Sequence, residues 1–307
     1  MNILSANLFR VGVTSAALLA LSCVPAHAET ARWSPAAANA WYAKQRWLVG
    51  SNFLPTDAIN QFEMWQADTF NPAEIDKEFG YAEGIGMNTM RIFLQDQLWA
   101  QDPEGFKKRI NIVLDLAAKH HIKPMLVLFD SCWDPNPKLG PQHPPIPGVH
   151  NSGWVQSPGT AGLMDEAGWG GDEAYVKGIV GAFAKDDPDN QGGGNYQQLD
   201  EATKTVQVAK LLPQVFAWAR TQDPIQPLTS GVWHNDDWSP NGKLNAVERV
   251  QIDQSDVISF HSYDWPERLE ERIKSLQPYG RPMIMTEYMA RGNGSTFDTA
   301  LPMARKY

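Results

Sequence analysis

Short apolar runs alternate with longer amphipathic patterns along most of this sequence. The clearest run covers residues 125–129 and has no polar alternation, as expected for a parallel strand that is covered on both faces. The preceding segment, residues 103–120, carries its apolar side chains at helical spacing. A chain that repeats strand and helix in this order is predicted to form βα units around a parallel sheet.

Six such runs are predicted strands, and most of them are followed by a predicted helix. The strands cover residues 47–53, 88–94, 124–129, 227–233, 256–263 and 282–289. One main helix is predicted to begin at Pro72. The other main helices are predicted over residues 103–120, 172–184, 199–220, 266–276 and 297–305.

An eight-stranded (β/α) barrel needs two strands more than this pattern supplies. Residues 185–195 contain no apolar run where a fourth strand is due, and the last helical pattern runs into Tyr307. We therefore predict an α/β fold of the (β/α)8 TIM-barrel type that is incomplete, with the fourth and eighth strands not evident. One domain is expected over residues 29–307.

The first 28 residues have the features of a secretory signal peptide. Arg10 precedes an apolar run over residues 11–24, and the small residues Ala26 and Ala28 form an A-x-A cleavage pattern. We predict cleavage after Ala28 and a secreted or periplasmic product. The apolar run is too short to span a bilayer, so no membrane-spanning helix is expected.

The amino-acid composition limits the classes of molecule that the protein is expected to bind. The formal net charge of −9 disfavours nucleic acid and anionic membranes, because the field of the protein repels both. Twelve tryptophans provide flat apolar faces with an N–H donor, which suit neutral flat ligands such as sugar rings. The oligomeric state is not indicated.

Glu287 is the strongest candidate for a catalytic group. It lies near the end of the apolar run 282–289, where a buried carboxylate must be paired or used. The carboxyl end of a barrel strand is the expected position of a catalytic residue. The alternative is a structural glutamate that pairs with Arg91, which occupies the equivalent place in the second predicted strand.

Other polar side chains end neighbouring strands. His261 and Tyr263 alternate along one run, so both are expected to project to the same side, where they would bind substrate hydroxyls or simply complete a polar strand end. Trp233 ends another run and could stack on a sugar ring or pack in the core. Asp130, His143 and His150 lack the spacing of metal ligands, and no nucleotide-binding or zinc-protease motif is present, so no metal or cofactor is predicted.

Several segments together resemble the secreted bacterial glycoside hydrolases of the cellulase-like (β/α)8 type, which are related to glycoside hydrolase family 5 and clan A. The resemblance covers the chain from about Trp47 to Tyr307. The segments that carry it are residues 50–55, 60–65, 86–93, 147–154 and 286–291. Of these, only Thr286-Glu287-Tyr288 is a catalytic signature by itself.

The resemblance implies a retaining hydrolase of β-linked polysaccharide of the cellulose, mannan or xylan type, without a cofactor. Such enzymes use a nucleophilic carboxylate and a second carboxyl group that acts as acid and base. Glu287 would be the nucleophile. The residues implied in substrate binding or in holding the carboxylate are Arg91, His150, Trp233, His261 and Tyr263.

The chain departs from the family at the acid/base. In the family this residue is the glutamate of an Asn-Glu-Pro motif at the end of the fourth strand, and the sequence contains no Asn-Glu pair. Asp187, Asp189 or Glu201 are the substitutes that the sequence offers nearby. We expect hydrolysis to be impaired, and two alternatives remain open: a non-catalytic carbohydrate-binding barrel, or a deleted and non-functional gene product.

Overall fold

The computed structural model describes residues 31–181 and 198–307. In this part the chain has five β-strands and eleven α-helices. The strands are β1 (Gly50–Phe53), β2 (Thr89–Phe93), β3 (Lys123–Val127), β4 (Ile258–His261) and β5 (Met283–Glu287). The helices are α1 (Pro35–Tyr42), α2 (Gln61–Trp65), α3 (Pro72–Gly84), α4 (Asp96–Gln101), α5 (Pro103–Lys119), α6 (Thr160–Met164), α7 (Trp169–Val180), α8 (Glu201–Arg220), α9 (Ala246–Gln254), α10 (Pro266–Leu276) and α11 (Phe297–Lys306).

The strands form two parallel sheets. One has the order β1-β2-β3, with Asn52 opposite Arg91 and Arg91 opposite Met125. The other pairs β4 with β5, and a register shift between Phe260 and His261 sets His261 opposite Glu287. Parallel strands end at the same rim, so Glu287 and the ends of β1, β2 and β3 meet there.

Local sequence accounts for the helix boundaries. Asn71 and Asp102 cap α3 and α5 by accepting from backbone N–H groups, and each is followed by proline at the first helical position. The two helices contact each other, and their buried apolar side chains belong to the same core as Ile92 of β2, which is fully buried. No helix within residues 31–181 and 198–307 has both the length and the apolar character needed to cross a bilayer.

The prediction of a regular strand over residues 227–233 is wrong. In this segment the structure has an isolated parallel bridge between Val232 and Phe260. Side-chain hydroxyls accept from backbone N–H groups that would otherwise be free to pair in a strand ladder. Ser259 N donates to Thr229 Oγ1 at 3.2 Å, and Ser230 N donates to Ser255 Oγ at 3.0 Å. Serine and threonine compete with ladders in this way, which explains why the pairing ends after one bridge.

The barrel is incomplete, as predicted. Among the described residues no hydrogen-bonded ladder joins β3 to β4 or β5 to β1. The stretch where a fourth strand is missing from the sequence falls in residues 182–197, outside the described part, and so do the predicted signal peptide, Asp187 and Asp189. The last described element is α11.

Asp256 connects three parts of the chain at the amino end of β4. Its carboxylate is fully buried and bonded to Arg220 of α8 at 3.1 and 3.3 Å. It also accepts from Trp33 N at 2.7 Å and from Leu228 N at 2.9 Å. The two backbone donors and one guanidinium offset the cost of burying this charge.

We expect Asp256→Asn to lower the free energy of unfolding by about 3–5 kcal/mol, because the variant leaves the Arg220 guanidinium buried without its counter-ion. Urea denaturation measures the change. Asp253→Asn, at an exposed position of α9, is the matched control and should cost less than about 0.5 kcal/mol. Equal losses in the two variants would contradict the role given to Asp256.

Candidate active site

Glu287 is the last residue of β5 and lies at the rim where the strands end. Only 8% of its surface is exposed. Its backbone carbonyl accepts from Ser262 N at 3.0 Å, which fixes the end of β5 against the segment that follows β4. The side chain is therefore directed by two paired strands and not by a loop.

Both oxygens of the Glu287 carboxylate have polar neighbours. Arg91 Nη1 forms an ion pair with Oε1, and Asn52 Nδ2 lies 3.5 Å from the same oxygen. Arg91 Nη1 also donates to Asn52 Oδ1 at 3.0 Å. The Tyr263 hydroxyl donates to Oε2, and His261 Nδ1 lies 3.5 Å from that oxygen. This environment favours the ionised carboxylate.

Tyr263 remains a proton donor under all ordinary conditions. Burial, and next the negative charge of Glu287, raise the pKa of its phenol well above the usual range. The phenol therefore stays protonated and keeps one hydrogen bond on Oε2. Each carboxylate oxygen thus has one close donor, Arg91 on Oε1 and Tyr263 on Oε2, and one polar neighbour at 3.5 Å, Asn52 or His261.

The structure brings together three of the six predicted site residues around the carboxylate of a fourth: Arg91, His261 and Tyr263 contact Glu287. The structure records Trp233 and His150 in ring contacts with other residues. Trp233 lies against His234, with ring centroids 3.9 Å apart. The sugar contacts expected of Trp233 and His150 stay predictions.

A chain of ring contacts leads from the carboxylate towards His150. Arg91 lies over the ring of Phe93 at 4.6 Å, and Phe93 meets Trp154 edge-on at 5.0 Å. Trp154 contacts Trp133 at 6.1 Å, and Trp133 contacts the exposed His150 at 5.6 Å. His150 thus belongs to an aromatic wall that begins beside the catalytic candidate.

Two residues at the rim were not recognised from the sequence as members of the catalytic site. Asn52 is in β1, and its position opposite Arg91 becomes apparent only through the strand register. Asp130 directly follows the apolar run 125–129, three residues after the end of β3, near the carboxyl end where barrel strands present catalytic groups. The position of Asp130 in the sequence could therefore have indicated it, whereas its burial is apparent only in the structure.

Asp130 is 6% exposed. Burial raises the pKa of its carboxyl from 3.8 to about 6; contacts with Cys132 and the charge of Arg91 oppose the rise, and the charge of Glu287 adds to it. A second carboxyl therefore lies within electrostatic reach of Glu287. Glu201, one of the substitutes considered from the sequence, is exposed in the first turn of α8.

A cavity of about 370 Å³ adjoins the carboxylate. The edges of β1 and β5 form two of its sides, and α11 contributes Phe297, Leu301 and Ala304. The lining also includes four polar residues of the site already described: Asn52, Arg91, Tyr263 and Glu287. No group of three or more histidine, cysteine, aspartate and glutamate residues in the described ranges 31–181 and 198–307 is arranged to hold a metal ion.

The Arg91–Glu287 pair should show strong energetic coupling. Arg91→Met leaves a carboxylate buried without its cation, and we expect it to lower the free energy of unfolding by about 3–5 kcal/mol. Combining Arg91→Met with Glu287→Gln should cost less than the sum of the two single changes, by roughly 0.5–3 kcal/mol, because the double variant buries neither charge. Urea unfolding of the four proteins measures this cycle, and strict additivity would show that the pair is not coupled.

No protein-family model matches the chain, and no curated protein matches it in sequence. Solved structures do match. An exo-beta-1,4-mannosidase from Opitutaceae bacterium strain TAV5 is 17% identical with a TM-score of 0.54, and the match covers 84% of this chain and 50% of that one. This chain therefore spans about half the length of the mannosidase.

Two further structures match less well. An endo-1,4-beta-mannanase from Rhizomucor miehei is 12% identical with a TM-score of 0.44, over 79% of this chain and 82% of that one. A glycoside hydrolase family 5 enzyme from Prevotella bryantii B14 is 11% identical with a TM-score of 0.42, over 72% and 68%. The likeness to the mannosidase concerns the fold alone: the described chain has a (β/α) barrel fold like that of the mannosidase, in an incomplete form.

Proposed function

We propose that the protein hydrolyses O-glycosidic bonds of β-linked polysaccharide, of the cellulose, mannan or xylan type, with retention of configuration. The observation that carries the proposal is the Glu287 carboxylate at the carboxyl end of a barrel strand, ionised beside Arg91 and held by Tyr263. A structural ion pair alone would not require a cavity of about 370 Å³ beside it.

The reaction has two steps. In the first, the Glu287 carboxylate attacks the anomeric carbon, the bond from that carbon to the glycosidic oxygen breaks, and the leaving oxygen takes the electron pair and then a proton from solvent. In the second, water attacks the glycosyl ester, a base accepts its proton, and the carboxylate is released. Arg91 and Asn52 hold Oε1 throughout and keep the carboxylate in place for attack.

The lack of an Asn-Glu pair in the sequence lowers the expected rate. General acid catalysis contributes roughly 10²–10⁴-fold, and its loss affects poor leaving groups most. We therefore propose slow turnover of polysaccharides and faster turnover of glycosides with activated aryl leaving groups. The predicted signal peptide places the reaction outside the cytoplasm, and the proposed partner is a neutral polysaccharide or oligosaccharide, not nucleic acid or a membrane.

The function is tested by trapping the nucleophile. We expect 2,4-dinitrophenyl 2-deoxy-2-fluoro-β-glycosides of glucose, mannose or xylose to label the protein, because the activated phenol leaves without a proton and fluorine slows hydrolysis of the ester. Mass spectrometry of the digested protein should place one sugar on Glu287. Glu287→Gln should not be labelled, whereas the exposed control Glu267→Gln should be labelled as the parent is.

Absence of labelling from all three sugars would contradict hydrolysis through Glu287. The second candidate, a carbohydrate-binding barrel without catalysis, is favoured by the exposed indoles of Trp47 and Trp265, which are 37% and 54% exposed. Sedimentation with insoluble cellulose, mannan or xylan without product would support it. A thermal scan without a cooperative transition would favour a non-functional gene product instead.

A further inference from the structure

The cavity beside Glu287 extends well beyond the carboxylate. Its lining includes Leu48, which precedes β1, and Met283, the first residue of β5. It also includes Asn52 and Glu287, towards the carboxyl ends of the same two strands. A strand rises about 3.3 Å per residue, so the lining along β5 is roughly 13 Å long. The space of about 370 Å³ is therefore elongated and follows the edges of β1 and β5.

The polar end of the cavity is electrically balanced. In the described part of the chain, the charged side chains of the lining are Arg91 and Glu287, which form an ion pair with each other. A charged ligand would leave one charge of this pair, or its own, without a counter-ion. A neutral head with hydroxyl groups can instead donate to the carboxylate and accept from Asn52 or Tyr263.

The remainder of the lining is mostly apolar and flexible. Five methionines contribute to it: Met87, Met125, Met283, Met285 and Met289. Met87 packs against the core that contains side chains of β2, whereas Met283 and Met285 pack against the core that contains side chains of β4. The cavity thus lies between two cores. Unbranched thioether side chains adapt their shape to a flexible apolar ligand.

Helix α11 turns one apolar face to the cavity. Phe297, Leu301 and Ala304 follow one another at spacings of four and three residues, so they share a face of the helix, and all three line the cavity. A second face, with Ala300 and Met303, packs into the core around β4 and β5. Phe297 is exposed. The first face therefore borders open space and is available to an apolar ligand.

We propose that this cavity binds the linear alkyl chain of an alkyl glycoside, with the sugar at the Glu287 end. A linear chain fits an elongated space lined by methionines, and the sugar supplies the neutral hydroxyl groups that the polar end accepts. A second sugar ring in place of the chain would bury its hydroxyl groups among apolar side chains without partners. The inference goes beyond the proposed function, because binding requires no reaction at Glu287.

Isothermal titration calorimetry with alkyl β-thioglucosides, below their micelle concentrations, measures affinity against chain length. The sulfur-linked glycosides resist hydrolysis, so binding is measured without turnover. We expect the octyl compound to bind roughly tenfold more tightly than the hexyl compound, because each buried methylene favours binding about three- to four-fold. 1-Octanol should bind more weakly than octyl β-thioglucoside, because it lacks the sugar that bonds at the Glu287 end.

Methionine methyl signals locate the chain. In protein labelled with ¹³C at the methionine methyl groups, octyl β-thioglucoside should shift the signals of the five methionines that line the cavity. Single Met→Leu variants assign these signals. The exposed Met164 of α6 and the buried Met64 of α2 do not line the cavity, so their signals should stay in place.

Filling the cavity should weaken binding. Leu301→Trp and Ala304→Trp place an indole on the face of α11 that lines the cavity, and each should lower the affinity for octyl β-thioglucoside at least about tenfold by excluding two or more methylenes. The matched control is Ala118→Trp, at an exposed position of α5, which should bind as the parent does. Equal losses in the control and the cavity variants would contradict the placement of the chain.

Three results with the parent protein would overturn the inference: equal affinities for the hexyl and octyl compounds, equal affinities for 1-octanol and octyl β-thioglucoside, or unchanged signals of the five methionines. A stable dimer that octyl β-thioglucoside does not dissociate would also overturn it, because a second copy of the chain would then cover the cavity. If the tryptophan variants fail to fold, the methionine signals of the parent decide.

Labelling of Glu287 by the fluorinated glycosides tests the proposed function separately. A protein that binds octyl β-thioglucoside at the five methionines but is not labelled retains the alkyl-chain site and loses hydrolysis through Glu287. A protein that is labelled but shows no dependence on chain length retains hydrolysis and loses the alkyl-chain site.

Discussion

The ion pair between Arg91 and Glu287 is the interaction on which the rim depends. Arg91 belongs to the β1-β2-β3 sheet and Glu287 to the β4-β5 sheet, and no ladder joins these sheets in the part of the chain that the structure describes. Two charges buried together are costly unless each is neutralised and bonded. Asn52 and Tyr263 add hydrogen bonds to this pair, so the contact between the two sheets also favours the ionised carboxylate.

The surroundings of two carboxyls at this rim favour different protonation states. Glu287 faces a guanidinium and a phenol, which favour its ionised form. Asp130 is buried with one backbone donor on Oδ1, so its neutral form is favoured. Arg91 contributes to both environments because it interacts with both residues.

The sequence predicted the local features well. Pro72, Pro103 and Pro266 each mark the first residue of a helix, because proline fits the first helical turn. In the first two helices a side-chain N-cap, Asn71 or Asp102, also accepts from a free N–H group. Five of the six predicted strands contain strands in the structure. The sixth, 227–233, was wrong, since Thr229 Oγ1 accepts from Ser259 N of β4 and Ser230 N donates to Ser255 Oγ, and apolar periodicity does not report such side-chain bonds.

Part of the candidate site was predicted from the sequence. Glu287, Arg91, His261 and Tyr263 lie at strand ends, and parallel strands bring such ends together, so their meeting followed from the pattern.

The sequence by itself determined the order of the five strands and of the main helices, and the polar residues near the strand ends. Hydrogen-bonding and burial preferences of neighbouring residues are enough for that. Only the tertiary structure decided that Asn52 joins Arg91 at the carboxylate and that Asp130 is buried within reach of Glu287. Burial and electrostatic contact depend on residues far apart in the chain, so no local pattern can specify them.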